Sequence, residues 1–307
     1  MDKLGFLFPG QGSQYVGMGL DWAGKFKEAA EVFEEADLAL NFSLCEVIWE
    51  GPVEFLAQTE VTQPALLTVS TAISRVLKAH GIVPQAAVGL SLGEYSALVA
   101  AESLSFSAAI RLVRERGRLM QQAVPLGQGK VAAIMGLETH IVEEACANTA
   151  GLVSVANYNC PGQVAIAGEA QAVAEAMQKC QELGAKRVVT LPVSAPFHTS
   201  LLRGAGTALR PHLERAKLLA PQIPVASNVT GEYFAPHDLV PLLELQVSSP
   251  VRFEAGVRRL LADGYTHFVE VGPGSTLSSF IKRIDKGATV YSLDKADSLE
   301  RVLEVLR

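Results

Sequence analysis

Val88-Gly89-Leu90-Ser91-Leu92-Gly93-Glu94 is the stretch of this chain whose residue types and spacing point most directly to chemistry. An apolar run feeds a GxSxG sequence that opens into a helical pattern, the arrangement of a nucleophile elbow. A sharp strand-to-helix turn exposes a serine Oγ and sets the backbone N–H of the next residue, here Leu92, beside it. Glycines at 89 and 93 suit so tight a turn, where side chains would crowd. The competing reading is a glycine-bearing loop with an ordinary serine. The flanks favour the elbow, because Gln85 to Gly89 reads as a buried strand and Glu94 to Ala101 as the start of a buried helix.

A serine nucleophile needs a base. Of the six histidines, His198 follows a strand and a proline-bearing bend, Ser194 to Phe197, that could deliver it over a sheet. His80, His140, His212, His237 and His267 lie at helix ends, in loops or at strand starts, and read as structural or solvent-facing.

The elements that must hold these groups alternate between strand and helix. Leu4 to Pro9 reads as a short buried strand and Asp21 to Leu40 as an amphipathic helix. Gln63 to His80 is a second helix, with Pro64 near its first turn and Gly81 as its stop signal. A helix runs from about Phe106 to Val124, before Pro125; strands at Val225 to Ser227 and His267 to Val271 and a helix from Val251 to Ala262 resume the pattern. This predicts an α/β core with a parallel sheet covered on both faces.

Between lies a different rhythm. Strands at Val131 to Gly136, Leu152 to Tyr158, Gln163 to Gly168 and Arg187 to Val193, with helices at His140 to Thr149 and Gln171 to Leu183, give the order βαββαβ of a ferredoxin-like unit. Asn159-Cys160-Pro161-Gly162 supplies turn chemistry for the central hairpin. Gln128 to Lys130 opens the segment and Ser194-Ala195-Pro196 closes it. The expected division is a large α/β domain of residues 1–127 and 196–307 and a small inserted domain of 128–195 that walls a cleft over the large sheet.

Composition agrees with a cytoplasmic enzyme. With 307 residues and 49% hydrophobic content, the chain can bury a large core without disulfides or metal. Cys45, Cys146, Cys160 and Cys180 are scattered, with no CxxC pair, and read as packing residues in a reducing compartment. The apolar Leu4 to Phe8 is too short for a signal-peptide core, and no stretch reaches the roughly 18 uninterrupted apolar residues of a membrane span. A net charge of −6 gives no support for nucleic-acid binding, although local basic clusters stand at Arg111 to Arg118, at Lys186-Arg187 and at Lys282, Arg283 and Lys286.

Five motifs now stand in order: Phe8-Pro9-Gly10-Gln11-Gly12-Ser13-Gln14, Gly89-Leu90-Ser91-Leu92-Gly93-Glu94-Tyr95-Ser96-Ala97-Leu98, Arg116-Gly117-Arg118-Leu119-Met120-Gln121, Pro196-Phe197-His198 and Val271-Gly272-Pro273-Gly274. Together they resemble the malonyl-CoA:acyl carrier protein transacylases of fatty acid synthesis, from Leu4 to the end of the chain. The related acyltransferase domains of polyketide synthases share the motifs.

The resemblance implies a large α/β-hydrolase-like domain carrying the ferredoxin-like insert, and a ping-pong transfer through a malonyl ester on Ser91. His198 would be the base, oriented by the main-chain carbonyl of Gln246 rather than by an acid. Gln11 and the Leu92 amide would form the oxyanion hole, the glycines at 10 and 12 letting backbone approach closely. A dinucleotide-binding loop is the alternative there, and it fails on spacing because Tyr15 stands where GxGxxG needs glycine.

Arg116 would grip the malonyl carboxylate through two parallel hydrogen bonds, whereas Arg111, Arg114 and Arg118 read as surface ion pairs. Phe197 would fill the space an α-methyl group needs and so favour malonyl. Met120 and Asn159 would line the acyl and pantetheine region, and Arg187 would meet CoA phosphates. No metal and no cofactor is implied, the CoA thioester being a substrate. The implied partners are malonyl-CoA and an acyl carrier protein docking on the basic clusters, with no nucleic acid and no membrane, the chain being a monomer.

One position departs from the pattern: many relatives carry histidine immediately before the nucleophile, where this chain has Leu90. Alternatives to the fatty acid role are a free-standing polyketide synthase acyltransferase and a serine hydrolase of acyl thioesters. The hydrolase would need Asp238 or Asp263 with His267 to complete a triad, and would leave Arg116 without a task. An inactive binding subunit is disfavoured by the intact set Gln11, Ser91, Arg116 and His198.

Overall fold

The computed structural model describes residues 3–125, 127–193 and 195–306. The chain opens with β1 (Lys3–Phe8), then α1 (Leu20–Lys25), α2 (Lys27–Leu40), α3 (Leu44–Glu50), α4 (Val53–Leu56) and α5 (Thr59–Ala79). The elbow region follows as β2 (Ala86–Gly89), α6 (Gly93–Ala100) and α7 (Phe106–Gln122). The middle segment holds β3 (Gly129–Met135), α8 (Thr139–Ala147), β4 (Val153–Cys160), β5 (Gln163–Glu169), α9 (Ala170–Glu182) and β6 (Arg187–Thr190). The last third contributes α10 (Arg203–Arg215), β7 (Val225–Ala226), α11 (Leu239–Gln246) and α12 (Phe253–Ala262), then β8 (Tyr265–Glu270), α13 (Thr276–Ile284), β9 (Thr289–Ser292) and α14 (Leu299–Leu306).

Two sheets result. The first is parallel throughout, in the order β7-β2-β1-β8-β9, and the second is antiparallel, in the order β4-β5-β3-β6. The parallel strands read as near-continuous apolar runs because helices cover both faces of their sheet. Apolar clusters follow the same division. Phe6, Phe8, Trp22 and Phe33 pack on one face of the parallel sheet with the α2, α5 and α7 helices, while Leu7, Val88, Phe253 and Phe268 pack on the other. A separate cluster around Ile134, Ile166 and Val173 lies between the antiparallel sheet and its two helices.

The antiparallel sheet is tied to the rest of the molecule at β4. Tyr158 N–H donates to the Val251 carbonyl at 2.8 Å, and Val251 N–H donates to the Ala156 carbonyl at 2.8 Å. Arg283 closes the other end of that contact, donating to Gln163 Oε1 and to the Pro161 carbonyl. One member of the basic cluster near the C-terminus therefore ties the β4–β5 turn to α13.

Several elements differ from the sequence reading. The helix expected over Asp21 to Leu40 is two helices, because Phe26 adopts an extended conformation at φ −127° and ψ 123° and turns the chain between them. The second helix starts at Thr59, four residues earlier than expected, so Pro64 lies inside it rather than in its first turn. The central hairpin turns on Pro161-Gly162 alone, since Asn159 and Cys160 remain in β4 and Gly162 takes φ 67°. The strand expected to run to Val193 ends at Thr190. Ser194 of the closing bend lies outside the described residues, as do Met1 and Asp2. All four cysteines are buried free thiols, as packing residues should be.

Candidate active site

Ser91 sits between β2 and α6 with φ 54°, in the left-handed region that a side chain enters only when its surroundings force it. What forces it is close packing. A Cβ on Gly93 would lie 2.0 Å from the Phe8 carbonyl oxygen, so β1 and the first turn of α6 approach as only a glycine permits. Asn228, two residues past β7, pins the turn from the side. Its Oδ1 accepts from Ser91 N–H at 2.7 Å and its Nδ2 donates to the Gly89 carbonyl at 2.7 Å.

His198 meets the serine from the opposite wall. Ser91 Oγ and His198 Nε2 are 2.7 Å apart, and His198 Nδ1 is 2.8 Å from the Gln246 carbonyl oxygen. A carbonyl can only accept, so Nδ1 carries the proton and Nε2 is left as the acceptor for the serine hydroxyl. Gln246 is the last residue of α11, where carbonyls lack an intrahelical partner, so its oxygen is available to the imidazole. His198 also holds a positive φ, 62°.

Arg116 completes the centre. It is only 1% exposed, and its Nη2 donates to Ser91 Oγ at 3.2 Å. Gln63 Oε1 accepts from Nη1 at 2.7 Å and Gln246 Oε1 from Nη2 at 2.7 Å, while its Nε has no partner among the described residues. The guanidinium carbon stands 5.3 Å from the centre of the Tyr95 ring. The Arg-Gly pair has a packing cause as well: a Cβ at Gly117 would lie 2.6 Å from the Thr59 carbonyl, so glycine lets α7 close on the start of α5.

Burial sets the electrostatics. Removal from water pushes His198 down to about 3, helped by the Arg116 charge and opposed by hydrogen bonds to the Gln246 and Ser249 backbones. Burial likewise lowers Arg116 from its usual value, against the attraction of Tyr95 and Glu94. Glu94, wholly buried beneath the elbow, is pushed up to about 8 by desolvation, against its hydrogen bonds from Asn228 and Gln246 and the Arg116 charge. The imidazole is therefore a neutral base, held in place for proton transfer.

Three participants escaped the sequence reading: Glu94 as a buried acid, Asn228 and Gln63. Glu94 Oε1 accepts from Asn228 N–H at 2.6 Å and Oε2 from Gln246 Nε2 at 2.6 Å. The available signals were an acidic residue in an otherwise apolar helix start, and an asparagine just beyond the carboxyl end of a strand, where α/β sheets place their sites.

The remaining expected residues divide. Leu92 is buried at the start of α6, and its N–H is paired with no acceptor among the described residues. Gln11 lies on the loop after β1, its Nε2 3.3 Å from Thr59 Oγ1. Beside Thr59 a hollow of about 570 Å³ is lined by Gln58, Arg118 and Gln121. Met120 is buried with its Sδ 3.7 Å from Gln63 Nε2, supporting the residue that holds Arg116. Asn159 is buried in β4, and its Oδ1 has no partner among the described residues. Phe197 is half-buried against the main core.

Arg187 is exposed and pairs with Met135, at the opposite end of β3 from Gly129, which abuts Pro196. The structure does not bring it into the Ser91 network. Arg118 forms the expected ion pair with Glu115, but Arg111 and Arg114 donate instead to the Ala39 and Leu40 carbonyls at the end of α2. Helix-terminal carbonyls attract such donors, so these two tie α7 to α2. The hydrolase triad does not assemble: Asp238 pairs with His237 and Asp263 with Arg259, while His267 Nδ1 lies 3.2 Å from Thr266 Oγ1 on β8. Leu90 packs its side chain with the β-sheet cluster and makes no polar contact there.

The sequence pattern of the family described as "Acyl transferase domain" matches residues 5–296. With the Ser91–His198 pair at the elbow, this match defines the class: the chain belongs to the acyl transferase family. Within it, a protein of Bacillus subtilis named malonyl CoA-acyl carrier protein transacylase is 40% identical over 311 aligned positions, covering 100% of this chain and 98% of that protein. The 1.7 Å crystal structure of an acyl carrier protein S-malonyltransferase from Vibrio cholerae is 44% identical with a TM-score of 0.93, covering 98% of this chain and 99% of that one. A malonyl-transacylase solved in complex with its type II PKS acyl-carrier protein is 40% identical, with a TM-score of 0.96 and 99% of each chain covered. Among the described residues, no helix is long and apolar enough to cross a membrane.

Proposed function

We propose that this acyltransferase moves the malonyl group from malonyl-CoA to the phosphopantetheine thiol of an acyl carrier protein, in fatty acid biosynthesis in the cytoplasm. The observation that carries the reading is Arg116. A buried guanidinium within 3.2 Å of the nucleophile, with an unpartnered Nε beside the Nη2 that reaches Ser91, offers the two parallel donors that a carboxylate takes. An acyl group without a carboxylate would leave that charge buried and unpaired.

The steps follow from the contacts. Ser91 gives its proton to His198 Nε2 as Oγ attacks the thioester carbonyl, and the charge on the carbonyl oxygen is met by the Leu92 N–H and Gln11. The intermediate collapses with release of the CoA thiol, which takes the proton from His198. The carrier thiol then gives its proton to His198 and attacks the malonyl ester, and Ser91 Oγ leaves, taking that proton back from His198. The CoA thioester supplies the activated acyl group, so side chains and main-chain amides suffice, with neither metal nor cofactor. Asn159 and Met120 border the acyl region, Phe197 disfavours an α-methyl substituent, and Lys186, Arg187 and Lys282 offer exposed positive charge to CoA phosphates or to an acidic carrier.

The strand order β4-β5-β3-β6 supports reading 128–195 as a ferredoxin-like insert in an α/β-hydrolase-like domain of 1–127 and 196–307. We take the chain to act as a monomer, without nucleic acid or membrane. A free-standing polyketide acyltransferase is the second reading, favoured by the likeness to a transacylase captured with a polyketide carrier protein.

The test is intact-protein mass spectrometry after brief mixing with malonyl-CoA, followed by addition of a carrier protein. A malonyl adduct that requires Ser91, forms poorly from acetyl-CoA and passes to the carrier thiol is expected. An adduct lost to water without transfer would make the protein a hydrolase.

A further inference from the structure

A second cleft, of about 820 Å³, opens at the far end of α6 from Ser91, between the C-terminal half of α5, the start of α7 and the segment after α10. Its floor is polar and unsatisfied. Thr71 and Ser96 are 4% and 3% exposed, and together with Ser74 they bury hydroxyl oxygens that have no hydrogen-bond partner among the described residues. Buried hydroxyls are normally paired, so three in one cleft mark a place shaped for a hydrogen-bonding ligand.

One wall is the first turn of the 17-residue α7. Ser105 caps it, accepting from Ala108 N–H at 3.3 Å, which leaves the leading N–H groups of Phe106 and Ser107 without intrahelical acceptors. A helix start of this kind favours an anion. The charges agree: Arg75, Lys78, Arg111, Arg215 and Lys217 line the cleft against one acid, Glu102, in a protein whose net charge is −6. Glu102 pairs with Lys78, and Arg75 with Glu35 outside the cleft, so positive charge remains in excess. Arg75 and Arg111 both stand at the α7 start, one over the Phe106 ring at 5.7 Å and the other 3.5 Å from Ser107 Oγ.

We propose that this cleft binds a small phosphate monoester with a hydroxyl-rich or heterocyclic body, such as a sugar phosphate or a nucleoside monophosphate. The phosphate lies on the α7 start between Arg75 and Arg111, and the body reaches down to Thr71, Ser74 and Ser96. Because α6 separates this site from Ser91, the ligand does not compete with malonyl-CoA.

The experiment titrates the intact protein with AMP, ribose 5-phosphate, glucose 6-phosphate and inorganic phosphate by calorimetry, with and without saturating CoA. The same titrations are run on Thr71→Val, which removes a hydroxyl at nearly constant volume, and on Arg111→Gln, with circular dichroism and thermal melting as the check on folding. Saturable binding of at least one ester tighter than about 1 mM, retained under CoA and weakened at least about tenfold in both variants, is expected. Absence of binding by all three esters, binding displaced by CoA, or binding indifferent to both substitutions overturns the proposal. Inorganic phosphate binding as tightly as every ester overturns the role of the floor.

Discussion

Glu94 holds Gln246 through a 2.6 Å hydrogen bond from Gln246 Nε2 to Glu94 Oε2. That bond fixes a residue with three other duties: its carbonyl orients His198, its Oε1 accepts from Arg116, and its Nε2 also donates to the Ser91 carbonyl at 2.8 Å. Once ionised, above about 8, Glu94 accepts on both oxygens, and a side-chain amide in its place would set one donor against another. Turning the Gln246 amide to relieve that conflict would point its Nε2 at Arg116. Above about pH 8, where Glu94 is ionised, Glu94→Gln is expected to lower kcat by about 10- to 100-fold, roughly 1.4–2.7 kcal/mol, and to slow Ser91 labelling by an uncharged sulfonyl fluoride to a similar extent. Labelling at the wild-type rate would show that Glu94 does not position the dyad.

Arg116 should separate from Glu94 in the same assay. Arg116→Ala removes the carboxylate partner, and malonyl transfer is expected to fall by more than about a hundredfold, roughly 3 kcal/mol. Transfer from acetyl-CoA should ease, because a buried cation no longer lacks its anion. Steady-state kinetics with both donors measures the contrast, and unchanged malonyl kinetics would remove Arg116 from the acyl site.

Much of this centre was legible because its chemistry is local in sequence. The elbow, with Gly89, Ser91 and Gly93, announces itself within five residues, and the βαββαβ order of the middle segment follows from hydrophobic periodicity alone. The Gln246 carbonyl was reached only through the family resemblance, since a main-chain acceptor leaves no mark on side-chain type. Glu94, Gln63 and Asn228 were missed because their roles arise from partners 134 to 152 residues away or on another helix, which spacing does not encode. The break at Phe26 was hidden for a related reason. The helical pattern continues through it, and tertiary packing overrides local propensity.

The buried pair His198 and Glu94 predicts opposing limbs in the pH dependence of stability. His198 titrates at about 3 when folded and near 6.5 when unfolded, so the unfolded chain binds the extra proton between those values. Its contribution is complete above about 6.5 and is lost as pH falls toward 3. Glu94 titrates at about 8 when folded against 4.5 when unfolded, so its contribution is complete below about 4.5 and is lost as pH rises through 8. Thermal melts across this range should show Tm level between about 4.5 and 6.5, where the two slopes cancel, and declining below and above that window, with the decline between about 6.5 and 8 reduced in Glu94→Gln. Ser91 labelling by the uncharged sulfonyl fluoride should stay flat as pH falls through about 6.5, since the base is already neutral. A half-maximal rate near that pH would assign His198 an ordinary, solvated titration.

Leu90 stands where the resemblance leads one to expect histidine, and its surroundings say how much that matters. Its N–H donates to the Phe8 carbonyl at 3.0 Å, its carbonyl oxygen would lie 2.3 Å from a Cβ at Gly10, and its side chain packs with the β-sheet cluster. The backbone of this residue therefore locks the elbow to β1 and to the loop carrying Gln11, whatever side chain it bears. Ser91 already has its base in His198 and a donor in Arg116, so a histidine at 90 adds no missing function. Leu90→His is expected to change malonyl transfer by less than about tenfold, roughly 1.4 kcal/mol, with Tm lowered slightly by the loss of apolar packing. Kinetics of the variant with malonyl-CoA and a carrier protein measures this directly, and a larger gain would mean that the side chain at 90 reaches the substrate.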